Sequence, residues 1–408
     1  MELKDLKGLK QQMADYMEEG IAEVIKSFGK RSPGSEGEKQ CAEYFKNELE
    51  KYCEDVKIES FSLHPGSFFG WIYITVTFML AATALYFFVP LASAILVVLG
   101  FILMLTQFVL YRKTFDFLFK KKTSYNVYGS IPAKGETKRK VIFSGHMDAA
   151  NEWPLSYRLG GGATAGLVAF AFIGILYIFA ISIYSLVTNG IGFALNTGID
   201  RILGYVSLVF VPIFITMYHF SSKKVVTDGA NDNLSGCFIA AAIVKAMKEN
   251  GVQLENTEVV ALMTGAEEAG LRGAKAFVKA HREELKKTET VFVGFDTIRE
   301  MRFLAVNKAD INNTVKNNEE YSDLYIKAAE NLGYKCASSS VPIGATDAAA
   351  FSQEGLKGVS ITALDHNLRD YYHTRRDTID NIDKECLRDV WEITVEYLDL
   401  IDKGEPKK

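Results

Sequence analysis

The chain has 408 residues, 24% charged and 48% apolar, with a formal net charge of −4. So mild a charge, without an arginine-rich stripe, excludes a dedicated nucleic-acid binder. Five scattered cysteines (Cys41, Cys53, Cys237, Cys336 and Cys386) without C-x-x-C spacing favour reduced thiols over a disulfide framework.

The opening MELKDLKGLKQQMADYMEEG is charged and helical in pattern. It has no apolar h-region, so a signal peptide is not expected. GSEGEKQCAEYFKNELEKY predicts a helix with Ser35 as N-cap. VKIESFSL alternates like a strand. Ser67 to Tyr111 then contains no Asp, Glu, Lys or Arg. That is room for two helices of about 20 apolar residues, the length a bilayer core requires. Pro90 marks the turn, giving expected spans near 68–89 and 91–111. Phe115 to Phe119, beside Lys120, Lys121 and Lys122, reads either as an interfacial anchor or as a plain loop.

SYNVYGSIP and KRKVIFSG are apolar strand runs. From Leu159 to Ser221 the only charges are Asp200 and Arg201, and TNGIGFALNTGIDR divides this stretch into spans expected near 163–187 and 202–220. Core helices of this length normally carry a polar face, which these lack. Beyond them, NLSGCFIAAAIVKAMKEN reads as a helix, TEVVALMTG as a strand, LRGAKAFVKAHREEL as a helix and TVFVGFD as a strand. EEYSDLYIKAAENLG is a helix ending at Gly333, KGVSITAL a strand, and CLRDVWEITVEYLDLIDK a closing helix. Alternation of this kind predicts an α/β fold with a mixed, largely parallel sheet flanked by helices, plus four inserted transmembrane helices. The domain assignment is 1–66, 112–158 and 222–408 for one discontinuous soluble domain, with hairpins at 67–111 and 159–221.

Two hairpins return the chain to the side where it began, so all charged parts are expected on one side of a lipid bilayer. The flanks there carry Arg112, Lys113, Lys120, Lys121, Lys122, Arg158, Lys223 and Lys224, against Arg201 alone on the other side. The positive-inside rule places the soluble part in the cytoplasm.

Five motifs carry candidate chemistry, at strand ends or a helix start, where α/β sheets gather their ligands. In GHMD, His146 can bind a metal while a carboxylate orients its ring; equally, a strand end may carry H-x-D by chance. Asp232 in DGANDNLSG reads as a ligand or as a helix cap. Glu267 and Glu268 in MTGAEEAGLRGA are adjacent acids, costly to crowd unless a cation or a proton separates them. One can bind metal while its neighbour takes a proton from water; a solvated acidic turn is the plainer alternative. Asp296 ends the strand of FVGFDTIRE, as a ligand or a turn residue. YYHTRRDTIDNID supplies His373, with His366 as its rival. Two imidazoles and several carboxylates form the ligand set of a hydrolytic zinc site.

In this order, H-x-D, G-A-x-D, E-E, D and H, the chain resembles the co-catalytic di-zinc aminopeptidase family, which includes aminopeptidase Y, glutamate carboxypeptidase and the glutaminyl cyclases. RSPGSEGE at 31–38, GATDAAAFSQEGLKGVSI and YHTRRDTIDNID extend the match across the soluble part. The resemblance implies two zinc ions. His146 and Asp296 would hold one, Glu268 and His373 the other, and Asp232 would bridge them. It implies Glu267 as general base and then acid, Asp148 orienting His146, and Tyr372 donating to the developing oxyanion. Asp347 falls where the family has a carboxylate, but Ala348 follows it in place of the usual His, so no catalytic role is assigned. The implied activity is a membrane-anchored aminopeptidase acting on peptides with a free N-terminus. A glutaminyl-cyclase-like acyltransferase and a non-catalytic receptor or scaffold are the alternatives. The family's short loop between H-x-D and the bridging Asp is here expanded into the second hairpin. The metal-bearing face is therefore expected near the ends of the spans, with Trp153 and Tyr157 between site and lipid. The oligomeric state is not encoded in these patterns.

Overall fold

A computed structural model describes residues 2–191, 198–365 and 371–406. The chain begins with a short 3-10 turn, α1 (Lys10–Phe28) and α2 (Glu36–Leu49). Ser35 caps α2 as expected, its hydroxyl accepting from Glu38 N at 3.2 Å. After β1 (Glu54–Leu63) come α3 (Ser67–Leu85) and α4 (Pro90–Leu103), whose last turns widen to Val109. Then follow β2 (Lys122–Ile131), β3 (Arg139–His146), α5 (Pro154–Leu159), α6 (Gly161–Asn189), α7 (Gly198–Ser207) and α8 (Val211–Met217). The remainder is α9 (Ser235–Glu249), β4 (Thr257–Thr264), α10 (Arg272–Leu285), β5 (Glu289–Ile298), β6 (Leu304–Asn307), β7 (Ala309–Asp310) and β8 (Val315–Lys316). It closes with α11 (Glu319–Asn331), β9 (Ala337–Ser339), α12 (Ala348–Gln353), β10 (Lys357–Ala363) and α13 (Lys384–Asp402).

Eight strands form one sheet in the order β1-β2-β4-β3-β5-β10-β6-β9. The centre is parallel: β3 pairs β4 and β5, and β5 pairs β10. Antiparallel pairings flank it, β1 with β2, β2 with β4 and β10 with β6. The sheet is mixed and mostly parallel at its core, as the strand–helix alternation predicts. Strand residues alternate between two packed faces. Val141, Phe143, Val259, Ala261, Val291 and Val293 join the core containing Phe45, Phe238 and Trp391. Ile142, Val260, Leu262 and Phe292 point the other way, to Phe277 and Phe351. Both faces are covered, which is why these strands read as continuous apolar runs.

Among the described residues, four apolar helical segments are long enough to cross a membrane: Ser67–Leu85, Pro90–Val109, Gly161–Asn189 and Gly198–Met217. They lie close to the spans expected from sequence. The fourth starts earlier and is broken at Leu208–Phe210, just before Pro212, which cannot donate a helical hydrogen bond. Its connection to the third runs through 192–197, outside the described residues. Val76, Met79, Val97, Ile178 and Phe214 pack inside this bundle. Ile95, Leu99, Ile173, Val187 and Val209 face outward and are exposed, so the bundle carries a large apolar outer surface. In the 115–119 segment, Phe117 and Leu118 are exposed. Asp116 is buried, and the Phe119 ring lies against Gly70. The segment is thus partly a packed loop and partly a free apolar tip.

Candidate metal centre

Three parallel strands end at one place. His146 closes β3, the Glu267–Glu268 turn follows β4, and Asp296 lies near the end of β5. Asp232 reaches the same point from a kinked turn, Ala230–Leu234, ahead of α9. It does not cap that helix: the cap position is Leu234. The helix comes so close to β3 that a Cβ on Gly145 would stand 2.3 Å from Cys237 N, so this position requires glycine. His373 arrives from the segment after β10 with a left-handed φ of 50°. Its rival His366 lies outside the described residues.

The two Asp232 oxygens point opposite ways. Oδ1 is 3.1 Å from His146 Nε2, and Oδ2 is 3.0 Å from His373 Nε2. Glu268 Oε1 is 3.1 Å from the same His373 nitrogen. Yet Asp232 Oδ2 and Glu268 Oε1 are buried without a hydrogen-bond donor. The nitrogen and oxygens converge on a common point instead of bonding to one another, which is what a cation requires. His146, Asp232 and Asp296 form one potential ligand group, and Asp232, Glu268 and His373 another, each with its atoms within 4.8 Å. The donor set of imidazole and carboxylate suits zinc.

Around this centre, carboxylates hold the ligands. Asp148 Oδ1 accepts from Glu267 N and Oδ2 from Glu268 N, both at 3.0 Å, and Oδ1 is 3.5 Å from His146 Nδ1. One side chain thus fixes the imidazole and the acidic turn together. Asp377 accepts from Asn231 N at 2.8 Å and Asp232 N at 3.1 Å, pinning the Asp232 turn. Tyr372 stacks on His373 with ring centroids 4.1 Å apart. Asp347 is buried beside the site and accepts from the Thr264 hydroxyl.

The electrostatics are strained without a cation. Burial pushes the Glu267 carboxyl well above the usual range, with the Glu268, Asp296 and Asp347 charges adding to it and His146 opposing. Burial and the Asp232 charge push Asp296 up to about 7. Burial also raises Asp232, but the facing His146 and His373 imidazoles outweigh it and hold that carboxyl below its usual range. Positive charge placed among these acids would relieve the conflict.

Pattern reading did not single out Arg31 or Glu38 individually, although both lie in RSPGSEGE. Arg31 is fully buried and donates to Met147 O at 2.9 Å and Asp228 O at 2.7 Å, joining the His146 and Asp232 loops. Glu38 accepts from Ala266 N at 2.8 Å behind the Glu267 turn. The spans end against this face, as expected. Trp153 N donates to His373 O at 2.8 Å, and its ring lies 4.5 Å from the imidazole. The same ring meets Phe220, just past the fourth span, at 5.1 Å. Tyr157 lies under the guanidinium groups of Arg375 and Arg376, each 4.6 Å from its ring.

The family model described as Peptidase family M28 matches residues 213–398. Comparison with curated proteins gave no match. Among solved structures, BSAP, a zinc aminopeptidase from Bacillus subtilis, is similar at 15% identity with a TM-score of 0.57, over 97% of this chain and 96% of that one. An aminopeptidase from Aneurinibacillus sp. strain AM-1 is similar at 15% identity and a TM-score of 0.56, over 96% and 95%. So is a glutaminyl cyclase from an Acidobacteriales bacterium, at 15% identity and a TM-score of 0.54, over 97% and 95%. At such identities the likeness is one of fold.

Proposed function

Starting from a metallo-exopeptidase of the M28 kind, we propose that the chain is a membrane-anchored aminopeptidase that hydrolyses the N-terminal peptide bond using two zinc ions. The observation that carries this reading is the Asp232 carboxylate, facing His146 with one oxygen and His373 with the other. In this reading His146 and Asp296 hold one ion, Glu268 and His373 hold the second, and Asp232 bridges them. The soluble body, 1–66, 112–158 and 222–408, is interrupted by the hairpins 67–111 and 159–221 and lies on the cytoplasmic face.

Two such ions would acidify a water and polarise the scissile carbonyl. Glu267, not needed as a ligand, takes the proton from the attacking water. It then passes that proton to the leaving amine. Asp148 keeps that turn in place through the two backbone N–H groups it binds. Tyr372 donates its phenol hydrogen to the oxygen that becomes negative. Carboxylates beside the ions would receive the substrate's free α-ammonium, restricting cleavage to the terminal residue.

The test is digestion of a peptide library by wild type and Glu267→Gln, with metal analysis of both. Wild type should release N-terminal residues and hold about two zinc ions. Glu267→Gln should keep its metal and lose roughly 10²–10⁴-fold in kcat. Unchanged turnover in the variant would refute the mechanism. Cyclisation of glutamine-terminated peptides with one ion per chain would establish the acyltransferase alternative.

A further inference from the structure

Both legs of the first hairpin end beside the turn that follows β4. Phe68, near the start of α3, is buried, and its ring lies against Gly270. Gly270 closes the turn that carries Glu267 and Glu268, with a φ of 95°, and a Cβ there would stand 2.9 Å from the Phe68 ring. Tyr111, just beyond the second leg, packs its ring 4.9 Å from that of Phe68. The body grips this leg with polar groups. Lys275 Nζ donates to Tyr111 O at 2.8 Å, and Asn312 Nδ2 donates to Phe108 O at 2.9 Å. Tyr111 itself has a left-handed φ of 49°, a conformation costly for a bulky residue unless its surroundings impose it.

In that conformation the ring packs with Phe68, Leu271, Ile311 and Ala349, next to the turn that carries Glu267 and Glu268. Tyr111 is 6% exposed. The acids whose charges bear on its phenol are Glu267, Asp310, Glu268 and Asp296. Among the described residues its hydroxyl has no hydrogen-bond partner. Packing alone would be served by phenylalanine. The hydroxyl is not one of the fully buried polar atoms, so beside the Glu267–Gly270 turn it can bond to a ligand without first breaking a bond within the protein.

We propose that the first membrane hairpin is part of the peptide-binding site, with the Tyr111 hydroxyl donating a hydrogen bond to the main chain of the bound peptide. The proposal rests on the peptidase reading. Under it the hairpin is more than an anchor, because the site is incomplete without the residue that ends its second leg. Tyr111 and Tyr372 then reach the bound peptide from different elements, one from the hairpin and one from the segment after β10.

The test uses the full-length, zinc-loaded protein in lipid nanodiscs. Tyr111→Phe keeps the ring and removes the hydroxyl. Tyr73→Phe is the control: Tyr73 also lies on the first hairpin, but its hydroxyl already has a partner, Ser221 O at the end of the second hairpin. Tyr111→Phe should lower kcat/KM about tenfold, the equivalent of one hydrogen bond, chiefly through KM. Zinc content and thermal midpoint should stay at wild-type values, and Tyr73→Phe should match wild type. Wild-type kinetics in Tyr111→Phe would overturn the proposal while leaving the peptidase reading intact. A wild type inactive on every peptide, or a fully active Glu267→Gln, would overturn both. Should Tyr111→Phe lose zinc, Glu267→Gln and the Glu267→Gln/Tyr111→Phe double variant would be compared at full zinc occupancy for affinity towards an uncleaved peptide. Equal affinities would then overturn the proposal.

Discussion

Asp148 shows how much one side chain can hold. Its two oxygens accept from consecutive backbone N–H groups, and the same carboxylate faces His146. Asp148→Asn would turn an NH2 group towards an N–H donor, leaving donor against donor. We expect a loss of about 10–100-fold in zinc affinity or kcat/KM, as for other residues that orient metal ligands. Competition with a chelator dye and steady-state kinetics would measure it, and an Asn variant equal to wild type in both would contradict the role. Arg31 acts similarly through main-chain carbonyls on two separate loops. Lysine cannot span both, so Arg31→Lys should cost about 2–3 kcal/mol in chemical denaturation; a cost near zero would show the loops hold without it. The proposed ligands were legible in sequence because four stand at or just past a strand end and Asp232 stands just ahead of a helix, in chain order. Arg31, Glu38 and Asp377 were less so, because they bond to backbone groups of distant segments, which carry no side-chain signature.

At the scale of elements, the parallel centre of the sheet is tied at its starting end by one carboxylate. Glu289 on β5 meets Arg139 of β3 at 3.0 Å, the Tyr321 hydroxyl at 3.0 Å, and Lys357 of β10. Burial alone would raise its carboxyl, but hydrogen bonds from Lys357, Tyr321 and Arg139 outweigh that and hold it near 2, against a usual 4.5. A depressed folded-state pKa gives stability that is present above about 4.5 and lost as pH falls towards 2. Glu289→Gln should therefore be less stable than wild type at pH 6, and the two should converge as pH falls through that window. A difference independent of pH would mean packing, not charge, is what Glu289 contributes. These long strands were visible as unbroken apolar runs because both faces of the sheet are covered. The short strands β6 to β9 were not, because two to four residues are too few for periodicity to register. The kinked turn at Asp232 was also missed, since Asp before a helix ordinarily signals a cap.

For the whole molecule, the hairpins and the body meet at the face of the candidate metal centre, so orientation and function are one question. The proposed spans leave basic side chains on the body side and only Arg201 beyond them, the asymmetry behind the proposed cytoplasmic orientation. The hairpin tips supply clean reporters: Phe88 and Ile191 are 54% and 82% exposed, and neither belongs to the site. Glu43 on α2 is exposed on the body. Phe88→Cys and Ile191→Cys should react with a membrane-impermeant maleimide in intact cells, whereas Glu43→Cys should react only after permeabilisation. The reverse pattern would place the site outside, where its peptides would be extracellular. Labelling of all three in intact cells would show that the four apolar helices do not carry the chain across a bilayer. The cytoplasmic outcome has a chemical consequence. The five scattered thiols are unpaired in the structure, as a reducing compartment keeps them. Cys41 and Cys237 lie buried behind the site, and burial pushes the Cys41 thiol up to about 12. Cys53 and Cys336 are only half-buried, so Cys53→Ser and Cys336→Ser in the labelling background leave the engineered positions to read orientation against buried thiols alone.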